Sequence, residues 1–197
     1  MGRKFQGMYD FLPFTENDVD TIKKQLRSDN ACPAALVERC PHGYPSVILI
    51  KPPITENDAD TDGKKVRMLA NLLWLTCPYL NQKIHDLESK GYIARISSFI
   101  NREKAMQCLM KDAHAEYHFL RKYVCRIYLK DDEGVFSDNA AVINTGIGGI
   151  RNIEHLKCLH LHYAHYRLCE KNIAGKIVYH LLNGVTACDG ADCRNVL

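Results

Sequence analysis

The sequence predicts an α+β protein that is mainly α-helical, with a few short strands, in a single domain. Apolar residues recur at helical spacing along much of the chain, most clearly over residues 102–128. One short run, residues 47–50, is uniformly apolar and bounded by prolines, which is typical of a buried strand. A length of 197 residues with 46% hydrophobic content suits one sizeable core.

The N-terminal part of the chain, residues 1–31, is predicted to be a polar leader followed by one helix. Thr15 and Asp18 have the spacing of a capping box, and apolar residues follow at helical intervals. We expect residues 32–197 to form the single main domain.

The middle of the chain is predicted to alternate between short strands and helices. After the strand at 47–50 and a polar loop at 55–65, we expect a buried helix at 66–75 and a second helix at 79–90. A short strand at 95–101, the long helix at 102–128 and a strand at 140–144 follow.

Cys77 is the best single candidate for a reactive thiolate. Pro78 suits the first position of the helix that follows, which places Cys77 at or near the N-cap. A helix N-terminus lowers the pKa of a thiol. The alternative is a thiol that merely occupies a helix junction.

The stretch 144–169 places a glycine-rich loop directly before a helix rich in Cys and His, and we expect the functional site to be organised around it. At about 100° per residue, four side chains share one inward stripe of that helix: Cys158, His162, His165 and Cys169. His160 falls on the opposite face. Because buried thiols and imidazoles need partners, a metal ion is one explanation of the stripe. Ordinary core packing is the other.

The glycine loop itself predicts an anion site. Gly146, Gly148 and Gly149 permit positive φ and expose backbone amides near a helix start, and Arg151 adds positive charge. A phosphate or carboxylate suits such a loop. The pattern matches neither the P-loop nor the dinucleotide fingerprint, so an ordinary tight turn is an equal alternative.

Further Cys and His residues lie elsewhere in the chain. Cys40 and His42 are two positions apart on a proline-bounded turn and suit metal ligands or a thiol–imidazole pair. His114 and His118 are one turn apart on the long helix, beside Arg121, and suit metal or anion binding. The tail pair, Cys188 and Cys193, can add ligands to a site made elsewhere.

Composition excludes several classes of partner. The net charge of +3 and the absence of a Lys/Arg block give no strong nucleic-acid signal. No apolar run is long enough to span a membrane, and the N-terminus has no secretory pattern. Nine cysteines without an export signal indicate reduced thiols and a cytoplasmic protein. Nothing in the sequence indicates an oligomeric state.

Several blocks occur together in the order CPHGYPSVI, WLTCPYL, AHAEY, GIGGI and KCLHLHYAHY, followed by the C-terminal Cys pair. In this order the sequence resembles the uncharacterised family known as domain of unknown function 501, over residues 32–193. The resemblance implies a single domain and no particular reaction. It also places His160 inside a family block. The leader and the polar segment 55–65 lie outside the family pattern.

The preferred hypothesis is a composite zinc site in which Cys77, Cys158 and His162 converge, with Cys40 and His165 as further ligands. An open coordination position would activate water for hydrolysis of a small anionic substrate held by the glycine loop. An iron–sulfur cluster held by cysteines is the main variant; its ligands would be Cys40, Cys77 and Cys158.

Two other hypotheses need no catalytic metal. In the first, Cys77 is a nucleophile, His42 or His162 is its base, and the glycine loop is an oxyanion site. In the second, the protein is not an enzyme, and the Cys and His residues only stabilise a fold that presents a surface to a partner.

Overall fold

The computed structural model describes residues 9–52, 54–55, 65–66, 69–129, 140–190 and 193. Its strands are β1 Pro33–Arg39, β2 Pro45–Ile50, β3 Ile54–Thr55, β4 Lys65–Val66 and β5 Leu73–Leu75. Its helices are α1 Glu16–Leu26, α2 Pro78–Ser89, α3 Tyr92–Arg102, α4 Lys104–Leu129, α5 Leu159–Leu168 and α6 Ile173–Leu181. A 3₁₀ turn spans Ile147–Gly149. The predicted α+β, mainly helical fold is therefore confirmed.

A three-stranded antiparallel sheet, in the order β1-β2-β5, lies between two apolar clusters. Every residue of the central strand β2 is buried, because its side chains alternate between the two faces. Val47 and Leu49 face the main core, whereas Ile48 and Ile50 face a smaller cluster that includes Ile22 of α1. A buried strand with both faces covered explains the uninterrupted apolar run in the sequence.

The predicted capping box at the start of α1 is confirmed. The Thr15 hydroxyl accepts a hydrogen bond from the Asp18 amide, and the Asp18 carboxylate accepts one from the Thr15 amide at 2.8 Å. The same carboxylate pairs with Arg39 of β1 at 2.7 Å, which ties the helix to the sheet.

The main core is built where α4 and α5 pack beside the sheet. The apolar pattern noted over residues 102–128 includes Ala113, Tyr117 and Leu120, and all three are fully buried. A fourth, Leu109, is 40% exposed, because this turn of α4 lies at the surface. None of the helices within the described residues is both long enough and apolar enough to cross a membrane.

Three predicted elements differ from the structure. Within the predicted helix 66–75, the chain instead forms the short strand β5, because residues 73–75 complete the free edge of β2. The predicted strand 95–101 is part of α3, whose buried side chains, Ile96 and Ile100, are four positions apart. The predicted strand 140–144 is helical at residues 140–143.

Candidate functional site

Three different metal-ligand groups meet where the C-terminal end of α2 approaches the N-terminus of α5. Cys158 is the N-cap of α5, His160 lies in its first turn, and Glu88 comes from α2. The Cys158 sulfur is 3.6 Å from His160 Nδ1, which is 3.2 Å from Glu88 Oε1. All three donor atoms lie within 4.8 Å of one another, and no other set of three Cys, His, Asp or Glu in the described residues does so.

Glu88 also holds the two helices together. Its Oε1 accepts a hydrogen bond of 2.6 Å from the backbone amide of Leu159, the first residue of α5. Cys158 does not cap its own helix, so a carboxylate from α2 supplies the acceptor that the helix N-terminus requires. The position of the carboxylate is thereby fixed beside the thiol.

The orientation of the His160 ring follows from its second nitrogen. His160 Nε2 lies 3.0 Å from the carbonyl oxygen of Asn81, which can only accept, so Nε2 carries the proton. Nδ1 is left facing both the thiol and the carboxylate. A metal-bound histidine typically has this arrangement, with one nitrogen toward the ion and the other donating to a backbone carbonyl.

The same geometry does not suit a Cys–His–Glu catalytic relay. In such a relay the thiol and the carboxylate contact opposite nitrogens of the imidazole. Here both contact Nδ1 of His160. The three donors therefore converge on one point beside the ring.

The electrostatics of the site favour one positive charge. Burial lowers the pKa of His160, but the hydrogen bonds to Cys158 and Asn81 and the charge of Glu88 outweigh it and raise that pKa to about 9. Without a metal ion, the imidazolium is thus the cation at neutral pH. A bound divalent ion would displace that proton and take its place.

The helical stripe predicted from the sequence is only partly present. Cys158 precedes α5 with extended backbone (φ −145°), so it does not follow the helical projection. His162 and His165 are fully buried and both contact Asn172 at the start of α6. Among the described residues they belong to no three-donor group with Cys158.

Cys77 is the N-cap of α2 and Pro78 is the first helical residue, as predicted. The pKa of its thiol, however, is shifted in the direction opposite to the one expected. Burial raises the pKa of the Cys77 thiol to about 11, and the proximity of Cys193 and Cys40 adds to the effect. Backbone amides at the helix start lower that pKa by less. Burial of Cys77 therefore changes the pKa of its thiol more than the helix N-terminus does.

Cys40, Cys77 and Cys193 are buried at one end of the sheet, where three distant segments meet. Gln25 Nε2 donates to Pro45 O at 3.0 Å and contacts the Cys193 sulfur at 3.3 Å. No disulfide joins any two of the nine cysteines, all of which the structure describes.

His42 contacts the tail as well, since its Nε2 is 2.8 Å from the carbonyl of Cys188. The roles suggested for Cys40, Cys77, His42, His162 and His165 stay predictions.

The glycine loop is separated from α5 by residues 150–158 and does not lead directly into it, contrary to expectation. Gly148 and Gly149 take positive φ, at 75° and 77°. The amides of Gly146, Ile147 and Gly149 already donate within the protein, and Arg151 is exposed. The anion site proposed for this loop stays a prediction, and three of its amides have internal acceptors.

The sequence gives no indication of Glu88, and the helical projection places His160 on the face opposite the predicted stripe. The spacing Cys158-x-His160 at the start of a helix could have indicated His160. Cys158 precedes the helix, so the helical projection does not predict where its thiol lies relative to His160. Glu88 is 72 positions from His160, and no local pattern connects them.

No curated protein and no solved structure matches the chain. Residues 36–180 match the family described as "Protein of unknown function (DUF501)". That range contains Glu88, Cys158 and His160 and covers well over half of the chain, in agreement with the resemblance found in the sequence blocks. The chain therefore belongs to the DUF501 family.

Proposed function

We propose that this protein binds a divalent transition-metal ion through Glu88, Cys158 and His160. The observation that carries the proposal is the convergence of three donor atoms within 4.8 Å, with the remaining ring nitrogen of His160 fixed on the Asn81 carbonyl. Zinc is the best-suited ion because it accepts thiolate, imidazole and carboxylate together. Nine reduced thiols suit a reducing compartment such as the cytoplasm.

The partial exposure of the site supports a catalytic role in preference to a closed structural one. The Glu88 and His160 side chains are 20% and 24% exposed. Three protein ligands at a solvent-accessible position leave a fourth coordination position for water, which zinc activates near neutral pH. The proposed reaction is hydrolysis of a small anionic substrate.

Metal analysis of protein purified without a histidine tag tests this proposal. We expect about one zinc ion per chain. Glu88→Gln is the most informative variant, because its amide oxygen still accepts the Leu159 N–H but no longer brings a negative charge to the ion. Zinc affinity should fall about tenfold or more in Glu88→Gln and in Cys158→Ser.

Matched controls separate ligand loss from a general effect of substitution. His85→Gln changes an exposed histidine of the same helix α2, and Cys108→Ser removes an exposed thiol of α4. Both should retain full zinc content. Cobalt substitution adds a spectroscopic test, since a thiolate-to-cobalt band in the near ultraviolet should appear and be absent in Cys158→Ser.

Two results would reject the proposal. One is wild-type protein that neither contains zinc nor takes it up, with Glu88 and His160 acting only as an ion pair. The other is zinc binding that Glu88→Gln and Cys158→Ser leave unchanged, which would place the ion elsewhere.

A further inference from the structure

Three buried histidines in the core each have one ring nitrogen without a hydrogen-bond partner. His162 and His165 of α5 are fully buried and His114 of α4 is 6% exposed. In each ring Nδ1 is engaged, whereas Nε2 is buried and has no hydrogen bond from any described residue. These residues are separate from the Glu88–Cys158–His160 site.

The tautomers of His162 and His165 follow from Asn172, which contacts both. Asn172 Oδ1 accepts the amide N–H of Gly175 at 3.0 Å, so the other end of the side chain is the NH₂ group. The NH₂ nitrogen of Asn172 donates one hydrogen bond to His162 Nδ1, at 3.3 Å, and one to His165 Nδ1, at 3.0 Å. Both Nδ1 atoms are acceptors, so both Nε2 atoms carry hydrogen.

The same argument applies to His114. The backbone amide of Ile147 in the glycine loop donates to His114 Nδ1 at 3.0 Å, which leaves the hydrogen on Nε2. Gly146 permits this contact, since a Cβ at that position would lie 2.7 Å from His114 Nδ1. The loop therefore fixes the third ring in the same tautomer.

The three rings are uncharged donors, because an Nδ1 that accepts a hydrogen bond carries no hydrogen of its own. The pKa values agree with this, since burial lowers the pKa of His165 to about 3 and that of His114 to about 4. A backbone contact with Ile153 opposes the shift of the His114 pKa, but this contact falls outside normal hydrogen-bond geometry for Nε2. Each buried donor without an acceptor costs about 1–3 kcal/mol.

A buried positive charge lies against the same group. Arg121 is fully buried; it donates to the carbonyls of Ala70 at 2.9 Å, Gly146 at 2.6 Å and Thr145. Its Nε has no partner, and no carboxylate in the described part of the chain pairs with it. Its guanidinium lies 4.7 Å from the centre of the Tyr117 ring, which in turn has the His165 ring as its edge-to-face neighbour at 5.1 Å. Gly146, whose carbonyl accepts from Arg121, precedes Ile147, whose amide donates to His114. A buried cation without a counter-ion is costly.

We propose that His114, His162, His165 and Arg121 bind a small oxyanion, such as inorganic phosphate, between α4, α5 and the glycine loop. The ligand must accept several N–H bonds and carry negative charge. A water molecule accepts at most two hydrogen bonds and leaves Arg121 without a counter-ion. An oxyanion has enough acceptor atoms and supplies the missing charge.

Phosphate titration of the intact protein tests the proposal, with chloride at the same ionic strength as the reference. We expect phosphate to raise the thermal midpoint, as selective binding to the folded state requires. His165→Phe removes one donor and should weaken phosphate binding about tenfold. His180→Phe, at an exposed position of α6, should not.

Two further measurements keep the test decisive. Nitrogen NMR of the wild-type histidine rings should show the Nε2-protonated tautomer for the three buried residues, with Nε2 resonances that move on phosphate addition. Because phosphate can also bind a metal ion, the titration is repeated in Glu88→Gln, where the response should persist. A phosphate effect no larger than that of chloride, or Nδ1-protonated rings, would overturn the inference.

Discussion

Cys77 begins α2 at a position that favours a thiolate, yet its side chain is buried beside two other cysteines. With the pKa of this thiol raised to about 11, only a small fraction is ionised at neutral pH. We therefore expect iodoacetamide to modify the exposed thiols, Cys32 and Cys108, well before Cys77. Mass spectrometry of each cysteine-containing peptide against time measures the order.

An unfolded sample is the control, because all nine thiols should then react at similar rates. Rapid labelling of Cys77 in the folded protein would contradict the raised pKa of this thiol and would support Cys77 as a nucleophile. If Cys158 is labelled slowly at first and quickly after a chelator is added, the result would support the proposed metal site.

At this scale the sequence indicates the residue types of the candidate site but not all of their partners. Cys158 was found because it lies in a Cys/His-rich stretch. Its partner Glu88 belongs to another helix, and only the approach of α2 to α5 brings the two together. The Cys77 pKa was predicted in the wrong direction because the helix terminus is visible in the sequence and burial is not.

Two helices cross closely where α6 packs on α5. A Cβ added at Gly175 would lie 2.2 Å from the carbonyl oxygen of His162 and 2.5 Å from the Cβ of Tyr166. Backbone cannot move aside as a side chain can, so Gly175→Ala should separate the helices. We expect a loss of about 3 kcal/mol in the free energy of unfolding, at the upper end for overpacking.

Urea unfolding monitored by circular dichroism measures this loss, and Gly91→Ala is the matched control. Gly91 has a φ of 77° but nothing within 4 Å of an added Cβ, so its substitution should cost only about 1–2 kcal/mol of backbone strain. Equal losses in the two variants would show that the helix crossing adapts to a methyl group.

Elements were predictable where their own periodicity decides them. The capping box of α1 and the long apolar face of α4 are local patterns, and both appear in the structure. Short elements were not predictable, because tertiary contacts decide them: residues 73–75 form a strand only because β2 offers an open edge. A segment of this length carries too little periodicity of its own.

For the whole molecule, the buried histidines predict loss of stability in weak acid. In the folded protein burial lowers the pKa of His162 and of His165 to about 3 and that of His114 to about 4, whereas an unfolded histidine titrates near 6.5. Arg121 opposes the protonation of His114 and His165 further, and a charge on His114 would oppose that of the other two rings. The unfolded chain therefore binds more protons below that pH, and unfolding becomes easier as the pH falls.

The stability that these three rings contribute should be fully present above about pH 6.5 and be lost progressively toward pH 4. Near pH 5 the slope for three protons is about 4 kcal/mol per pH unit. Asp18, whose pKa is lowered to about 2 chiefly by the hydrogen bond from Arg39, loses its contribution mainly below that window. Urea unfolding at several pH values measures the slope; His165→Phe should reduce it by about a third, and His180→Phe should leave it unchanged. A free energy of unfolding that stays constant between pH 6.5 and 4 would mean that the rings accept protons within the fold, and that the core around Arg121 is less closed than its burial indicates.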